Sequence, residues 1–205
     1  EQEMVATIAR AGHEVASHGW DHRLVGEFTP AEFREDVRRT KTLLEDLIGA
    51  PVRGYRAPSF SIVPGLEWAL NVLVEEGHTY DSSLVPTRLH PTYGYPCARD
   101  PHSMRLESGR LVELPPTTLR ISGTNLPASG GAYFRLFPYA LVQRGLASSE
   151  KRDASGTFYI HPWELDPASP RLPLPWHVRL RVRGRSGDLG ARLAQLARVF
   201  PEPGI

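Results

Sequence analysis

The chain has 205 residues, of which 40% are hydrophobic and 23% are charged, and its formal net charge is +1. This size and balance are typical of one globular domain with a buried core. A nearly neutral chain gives no support to nucleic-acid binding. The single cysteine, Cys97, excludes an internal disulfide and a zinc site built from cysteines. No apolar run is long enough for a transmembrane segment.

Predicted helices and strands alternate through the first eighty residues. The predicted order is a helix ending at Arg10, a strand over 13–18, a helix from the N-cap Thr29 to Gly49, a strand over 52–56, a helix over 66–76 and a strand over 78–81. Such alternation predicts a parallel sheet covered by helices, either doubly wound or closed into a barrel. His18, Arg56 and Asp81 each end a predicted strand, so we expect them at one shared site.

The second half of the chain has fewer regular elements. Prolines are frequent over 85–118, where 111–114 is the one clear strand. A glycine turn at 129–132 leads into a predicted helix that contains Phe134 and Val142. A strand over 157–161 and an amphipathic helix over 191–200 complete the prediction.

The first candidate site residues are two histidines four positions apart, His18 and His22. Neutral imidazoles suit zinc, and also cobalt or nickel. Catalytic zinc usually has three protein ligands plus water, so a carboxylate is expected as the third ligand. The alternative is a pair of ordinary histidines, one at a strand end and one in a loop.

Arg56 and His161 are candidate catalytic residues. Arg56 precedes Ala57 and Pro58, whose restricted backbone holds the guanidinium in place to orient a catalytic acid. A surface salt bridge is the simpler alternative. His161 ends a predicted buried strand, where an imidazole suits a general acid; the alternative is a core histidine.

Three further residues could support this chemistry. Asp81 could hold the imidazole in one tautomer, or could cap its strand. Tyr133 and Trp163 could stack on sugar rings, although core packing is the commoner role of such aromatic residues.

These motifs together resemble the NodB-type polysaccharide deacetylases of carbohydrate esterase family 4. The similarity is greatest to the subgroup found in exopolysaccharide loci with exosortase-type systems. It rests on the strings GHEVASHGWDH, YRAPSFS, YDSS, FYIHPWELDP, ELPPTTL and GGAYFRLFP. The resemblance implies an α/β fold, a distorted (β/α) barrel, here truncated at its N-terminus. It also implies one domain over 1–205, with a subgroup-specific extension from about residue 165.

The resemblance also implies a role for each matching residue. His18 and His22 are the metal ligands, and Arg56 orients an aspartate base. His161 is the general acid, and Asp81 pairs with it. A backbone N–H near Ser59 helps to bind the oxyanion. The family's opening pair of aspartates, which supplies the base and the third ligand, has no counterpart before His18. Since the chain also lacks a starting methionine, we expect it to be a piece of a longer protein.

The implied function is metal-dependent removal of N-acetyl groups from an exopolysaccharide or a related amino-sugar glycan. One alternative is an allantoinase-like hydrolase of a small amide, and another is a non-catalytic glycan-binding remnant. The expected partner is an acetylated polysaccharide or oligosaccharide, and the expected cofactor is a divalent metal, zinc first. The expected location is the cytoplasm or the inner membrane surface.

Overall fold

The structure is a computed structural model, and it describes residues 2–88, 93–166, 168, 173–176, 178 and 189–200. The chain divides into two compact units, 1–115 and 116–205. The prediction of a single domain stays a prediction, because two compact units can belong to one domain. Much of the predicted extension from about residue 165 lies outside the described residues.

Six α-helices have both ends within the described part of the chain, in addition to three short 3-10 turns. The α-helices are α1 (Gln2–Arg10), α2 (Pro30–Ile48), α3 (Trp68–Glu75), α4 (Gly131–Leu136), α5 (Tyr139–Glu150) and α6 (Leu189–Val199). None of these helices is long and apolar enough to cross a membrane. The strands are β1 (Gly54–Tyr55), β2 (Tyr80–Asp81), β3 (His102–Leu106), β4 (Gly109–Glu113), β5 (Thr118–Ile121) and β6 (Thr124–Pro127).

Helix α2 begins and ends where its sequence predicts. The Thr29 hydroxyl accepts from the Glu32 amide at 3.3 Å, and the Glu32 carboxylate accepts from the Thr29 amide at 2.8 Å. This reciprocal pair satisfies two amides that have no partner inside the helix. Gly49 ends the helix in the left-handed conformation. Phe33 and Val37 are fully buried on the inner face of α2.

The first unit has a four-stranded sheet in the order β1-β2-β4-β3. Strands β1, β2 and β4 are parallel, and β3 pairs antiparallel with β4. The predicted strand over 13–18 is reduced to one parallel bridge, between Ser17 and Tyr55. Strand β3 lies in the region that we expected to be loop. The sheet is open in the described part of the chain, and its core packs between the sheet and α2 and α3.

The second unit contains a hairpin, β5 and β6, which was not predicted. Its predicted helix is divided into α4 and α5 at Pro138, because proline has no amide hydrogen to continue the ladder of α4. The predicted strand over 157–161 forms two isolated bridges, Pro116 to Thr157 and Gly130 to Tyr159. The core of the second unit contains the buried side chains of Phe134, Val142, Leu146 and Leu196.

Candidate functional site

His18 and His22 lie side by side in the first unit, with ring centroids 5.1 Å apart and planes at 80°. Nδ1 of His18 is 2.6 Å from the main-chain carbonyl of Arg56. A carbonyl oxygen can only accept, so Nδ1 carries a hydrogen, and in the neutral ring the lone pair is then on Nε2. Metal-binding histidines are commonly held in this way through the nitrogen that does not bind the metal.

The loop between the two histidines is held by Asp36 on α2. Both carboxylate oxygens of Asp36 accept from the Trp20 amide, at 3.2 and 3.1 Å. Burial raises the pKa of Asp36, although the amides of Trp20 and Asp21 oppose this shift. Gly19 has φ +77°, and a Cβ atom there would lie 3.2 Å from the Asp36 carboxylate. Asp36 was missed by the sequence analysis, because no local pattern connects it to a loop sixteen residues away.

The two imidazoles fit part of a site for a divalent metal. Nε2 of a neutral imidazole whose Nδ1 is hydrogen-bonded to a carbonyl is a suitable ligand for zinc, cobalt or nickel. Among the described residues, no group of three or more histidine, cysteine, aspartate or glutamate side chains is arranged to hold a metal ion. His18 and His22 would supply two ligands of such a site, and catalytic zinc usually has three protein ligands.

Arg56 connects His18 to the end of β2. Its carbonyl holds the His18 ring, while its guanidinium donates to the Ser82 carbonyl at 3.1 Å and to the Ser82 hydroxyl at 2.7 Å. Pro58 begins a short 3-10 turn, separated from the end of β1 by Arg56 and Ala57, and Ser59 is exposed there with φ +54°. The predicted oxyanion role of the backbone near Ser59 stays a prediction.

Asp81 is completely buried at the end of β2. Its carboxylate accepts from the Ser83 hydroxyl at 2.6 Å and from the Ser83 amide at 3.1 Å. The same hydroxyl accepts from the Ala57 amide at 2.7 Å, immediately after Arg56. The structure thus brings His18, Arg56 and Asp81 to one edge of the sheet, as their strand-end positions predict.

Glu113 faces Asp81 across the parallel pair β2 and β4. Its side chain is buried, and its Oε1 accepts from the Leu84 amide at 3.0 Å. Burial raises the pKa of Asp81 and of Glu113, and the charge of Asp81 raises the pKa of Glu113 further. The two carboxyl groups therefore hold at least one proton between them at neutral pH. The sequence signal for Glu113 was its place at the end of a predicted strand.

His161 lies in the second unit, with half of its side chain exposed. Its Nδ1 is 2.6 Å from Oε1 of Glu164. The side chain of Glu164 is fully buried, and its other oxygen forms an ion pair with Arg135 at 2.5 Å. Sequence reasoning named Asp81 as the partner of this imidazole and missed both Glu164 and Arg135. The pairing of Asp81 with His161 stays a prediction.

The two candidate sugar-stacking residues have different surroundings. Trp163 is 43% exposed and stacks on the His161 ring, with centroids 5.8 Å apart and planes at 28°. Tyr133 is half-buried on α4, with its ring 5.6 Å from that of Phe137. Trp163 is therefore a partly exposed aromatic side chain next to the imidazole of His161.

Two family models match the chain. Residues 82–201 match a family described as a domain of unknown function, DUF3473. Residues 1–73 match the polysaccharide deacetylase family.

Among curated proteins, the chain is similar to a peptidoglycan deacetylase from Helicobacter pylori. The two are 31% identical over 93 residues, which are 44% of this chain and 30% of the relative. The chain therefore spans less than a third of that relative's length.

Three solved structures have a similar fold. A protein from Mycobacterium smegmatis, assigned as a polysaccharide deacetylase, is 22% identical with a TM-score of 0.65; the match covers 98% of this chain and 61% of that one. A protein from Pseudomonas aeruginosa PAO1, assigned in the same way, is 16% identical with a TM-score of 0.56 over 98% of this chain and 58% of that one. The Puue allantoinase is also 16% identical, with a TM-score of 0.57 and the same coverage. These likenesses support the predicted NodB-type α/β fold.

Proposed function

This chain belongs to the NodB-type polysaccharide deacetylases, and from that premise we propose that it is part of a hydrolase that removes N-acetyl groups from a glycan. The observation that carries the proposal is the anchored histidine pair, in which the Arg56 carbonyl holds the His18 ring at Nδ1 beside the ring of His22. We further propose a divalent metal at this pair, with zinc as the first choice.

The residues of the first unit bind the metal and hold its ligands in position. His18 and His22 bind the metal, which supplies Lewis acidity toward the acetyl carbonyl and toward water. Arg56 fixes the His18 ring through its carbonyl and is held by Ser82, so its guanidinium is a stable positive charge near the reacting groups. The exposed turn at Ser59 offers a backbone N–H to the developing oxyanion.

The residues of the second unit act on the leaving group. His161, whose side chain is half exposed, donates a proton to the amine as the C–N bond breaks. Trp163, stacked beside His161, provides an apolar face for a sugar ring. The products are acetate and a free amino sugar. We propose an exopolysaccharide as the substrate, and the similarity to a peptidoglycan deacetylase makes peptidoglycan the second substrate to test.

The proposal is tested by acetate release in the presence of zinc. N-acetylglucosamine oligomers, acetylated exopolysaccharide, peptidoglycan fragments and allantoin are supplied as substrates. We expect acetate from at least one acetylated glycan and no hydrolysis of allantoin. Hydrolysis of allantoin alone would favour the small-amide alternative, and glycan binding without acetate release would favour the non-catalytic remnant.

Matched histidine variants test whether the proposed residues carry the reaction. His161→Gln should lower the rate of acetate release by about 100-fold or more, since general acid catalysis contributes on that order. His102→Gln, on β3, should leave the rate unchanged, because His102 bonds only locally to the Asp100 carbonyl in the described structure. Equal rates for both variants would remove His161 from the mechanism.

A further inference from the structure

We propose that Glu164, paired with Arg135, is the positioning residue that keeps the hydrogen of His161 on Nδ1 and so makes Nε2 the atom that delivers the proton. The inference deepens the proposed function and rests on it for the identity of the reaction. The hydrogen-bond assignment itself stands on the geometry of the second unit.

The local backbone explains why the two side chains meet. Pro162, Trp163 and Glu164 form a 3-10 turn, with His161 as the residue before it. The Glu164 amide donates to the His161 carbonyl at 2.9 Å, which closes the turn. In a 3-10 turn the side chains of residues i and i+3 are eclipsed. Glu164 is therefore directed at the imidazole by the turn that Pro162 begins.

Burial of Glu164 makes its oxygen a well-placed acceptor. The side chain has no exposed surface, whereas half of the His161 side chain is exposed. A buried carboxylate needs a positive partner to remain charged, and Arg135 supplies it from α4 at 2.5 Å. The Arg135 guanidinium also lies 5.2 Å from the Trp163 ring. A charged, fixed carboxylate is an acceptor only, so the nitrogen facing it must carry the hydrogen.

The close approach of α4 to the chain before His161 holds Arg135 in place. Gly130 is bridged to Tyr159, and the Gly131 amide donates to the Tyr159 carbonyl at 3.2 Å. A Cβ atom at Gly130 would lie 1.7 Å from that carbonyl oxygen. The absence of a side chain at Gly130 therefore allows the start of α4 to contact the segment that carries His161. Arg135, which pairs with Glu164, lies four residues after the first residue of α4.

This arrangement fixes the direction of proton transfer. In the protonated imidazole, Nδ1–H is bound by Glu164, and the proton on Nε2 is the one available for transfer. When the C–N bond breaks, its electron pair stays on nitrogen, and the Nε2 proton passes to that nitrogen. His161 is left neutral with its hydrogen on Nδ1, still held by Glu164. A histidine side chain without such a partner prefers the other tautomer, with its hydrogen on Nε2.

The experiment is a two-bond proton–nitrogen correlation spectrum of histidine-labelled protein at an alkaline pH where imidazoles are neutral. The His161 signals are assigned by their loss in His161→Gln. In the wild-type protein we expect Nδ1 to show the shift of a protonated nitrogen and Nε2 that of an unprotonated one. The opposite pattern in the wild-type protein overturns the inference. The variant serves only to assign the signals, and the tautomer is read from the wild-type spectrum.

A paired substitution tests the role of Glu164. Glu164→Leu combined with Arg135→Leu removes both charges together, so neither is left buried alone. In the folded double variant, Nδ1 of His161 should show the shift of an unprotonated nitrogen and Nε2 that of a protonated one. Glu150→Gln, an exposed carboxylate of the same unit, should leave them unchanged. Unchanged shifts in the folded double variant would contradict the role of Glu164. If the tautomer is as expected but no glycan releases acetate, the proposed function fails while the assignment of the pair stands.

Discussion

His78 is a buried histidine in the core of the first unit, in edge contact with Tyr55 at 5.8 Å. Burial lowers its pKa to about 4, and the charge of Lys41 adds to this shift. The folded pKa lies below the unfolded value, so stability is fully present above about pH 6.5 and is lost as the pH falls toward the folded pKa. His78 is therefore neutral in the folded protein and resists protonation.

The expected result is a loss of about 2 kcal/mol in the free energy of unfolding between about pH 7.5 and about pH 5 from this residue alone. In His78→Leu this contribution is removed, so the variant should lose less stability over the same interval. Urea denaturation at both pH values measures the difference. Equal losses in the two proteins would show that His78 is not held neutral.

The buried pair of Asp81 and Glu113 predicts the opposite pH dependence. Oε2 of Glu113 receives no hydrogen bond from a described donor, and a proton on Glu113 lets this oxygen bond to Asp81 instead. Because the folded pKa of Glu113 is raised, its stabilising effect is greatest below the unfolded pKa of about 4.5 and is lost as the pH rises. Glutamine imitates the protonated carboxyl at every pH.

We therefore expect Glu113→Gln to gain stability relative to the wild-type protein as the pH rises from about 5 to about 8. The gain is measured by chemical denaturation at several pH values in that interval. Glu107→Gln, at an exposed position before β4, is the matched control and should show no pH-dependent difference. A constant difference for Glu113→Gln across the interval would argue that the pair holds no extra proton.

At the scale of elements, local signals were enough to predict α2 but not the hairpins. The capping box, the proline and the final glycine of α2 all lie within the helix or next to it, so the sequence alone defines both ends. Strands β5 and β6 do not alternate regularly between inside and outside, whereas β3 does so over only five residues. All three depend on pairing with a neighbouring strand. The predicted strand over 13–18 was too long for the same reason, since only Ser17 pairs with a neighbouring strand.

The bridge between Gly130 and Tyr159 gives a test at this scale. Gly130→Ala should cost about 3 kcal/mol or more, because φ is +104° and the added Cβ would clash with the Tyr159 carbonyl. Gly123→Ala, at φ +84° with open space around it, should cost only about 1 kcal/mol. Thermal or urea unfolding of both variants measures this contrast. Similar costs for the two glycines would mean that the close approach of α4 is relaxed in solution.

At the scale of the whole molecule, the predicted site residues are distributed over both units. The first unit holds His18, His22, Arg56, Ser59 and Asp81, and the second holds Tyr133, His161 and Trp163. Sequence order and family motifs single out these residues as candidates. They do not identify the groups that hold these candidates, since Asp36 and Arg135 approach their partners only through tertiary folding. Glu164 is the exception, because its i+3 spacing from His161 is visible in the sequence.

The measurement that tests the central claim most directly is acetate release before and after metal removal. The protein is treated with a chelator, freed of it, assayed on an acetylated glycan, and assayed again with zinc. We expect activity to disappear and to return with zinc in the wild-type protein and in His13→Ala, whose residue lies outside the histidine pair. His18→Ala, which removes one proposed ligand, should not recover. Activity that survives the chelator, or that zinc restores equally in His18→Ala, would contradict the account.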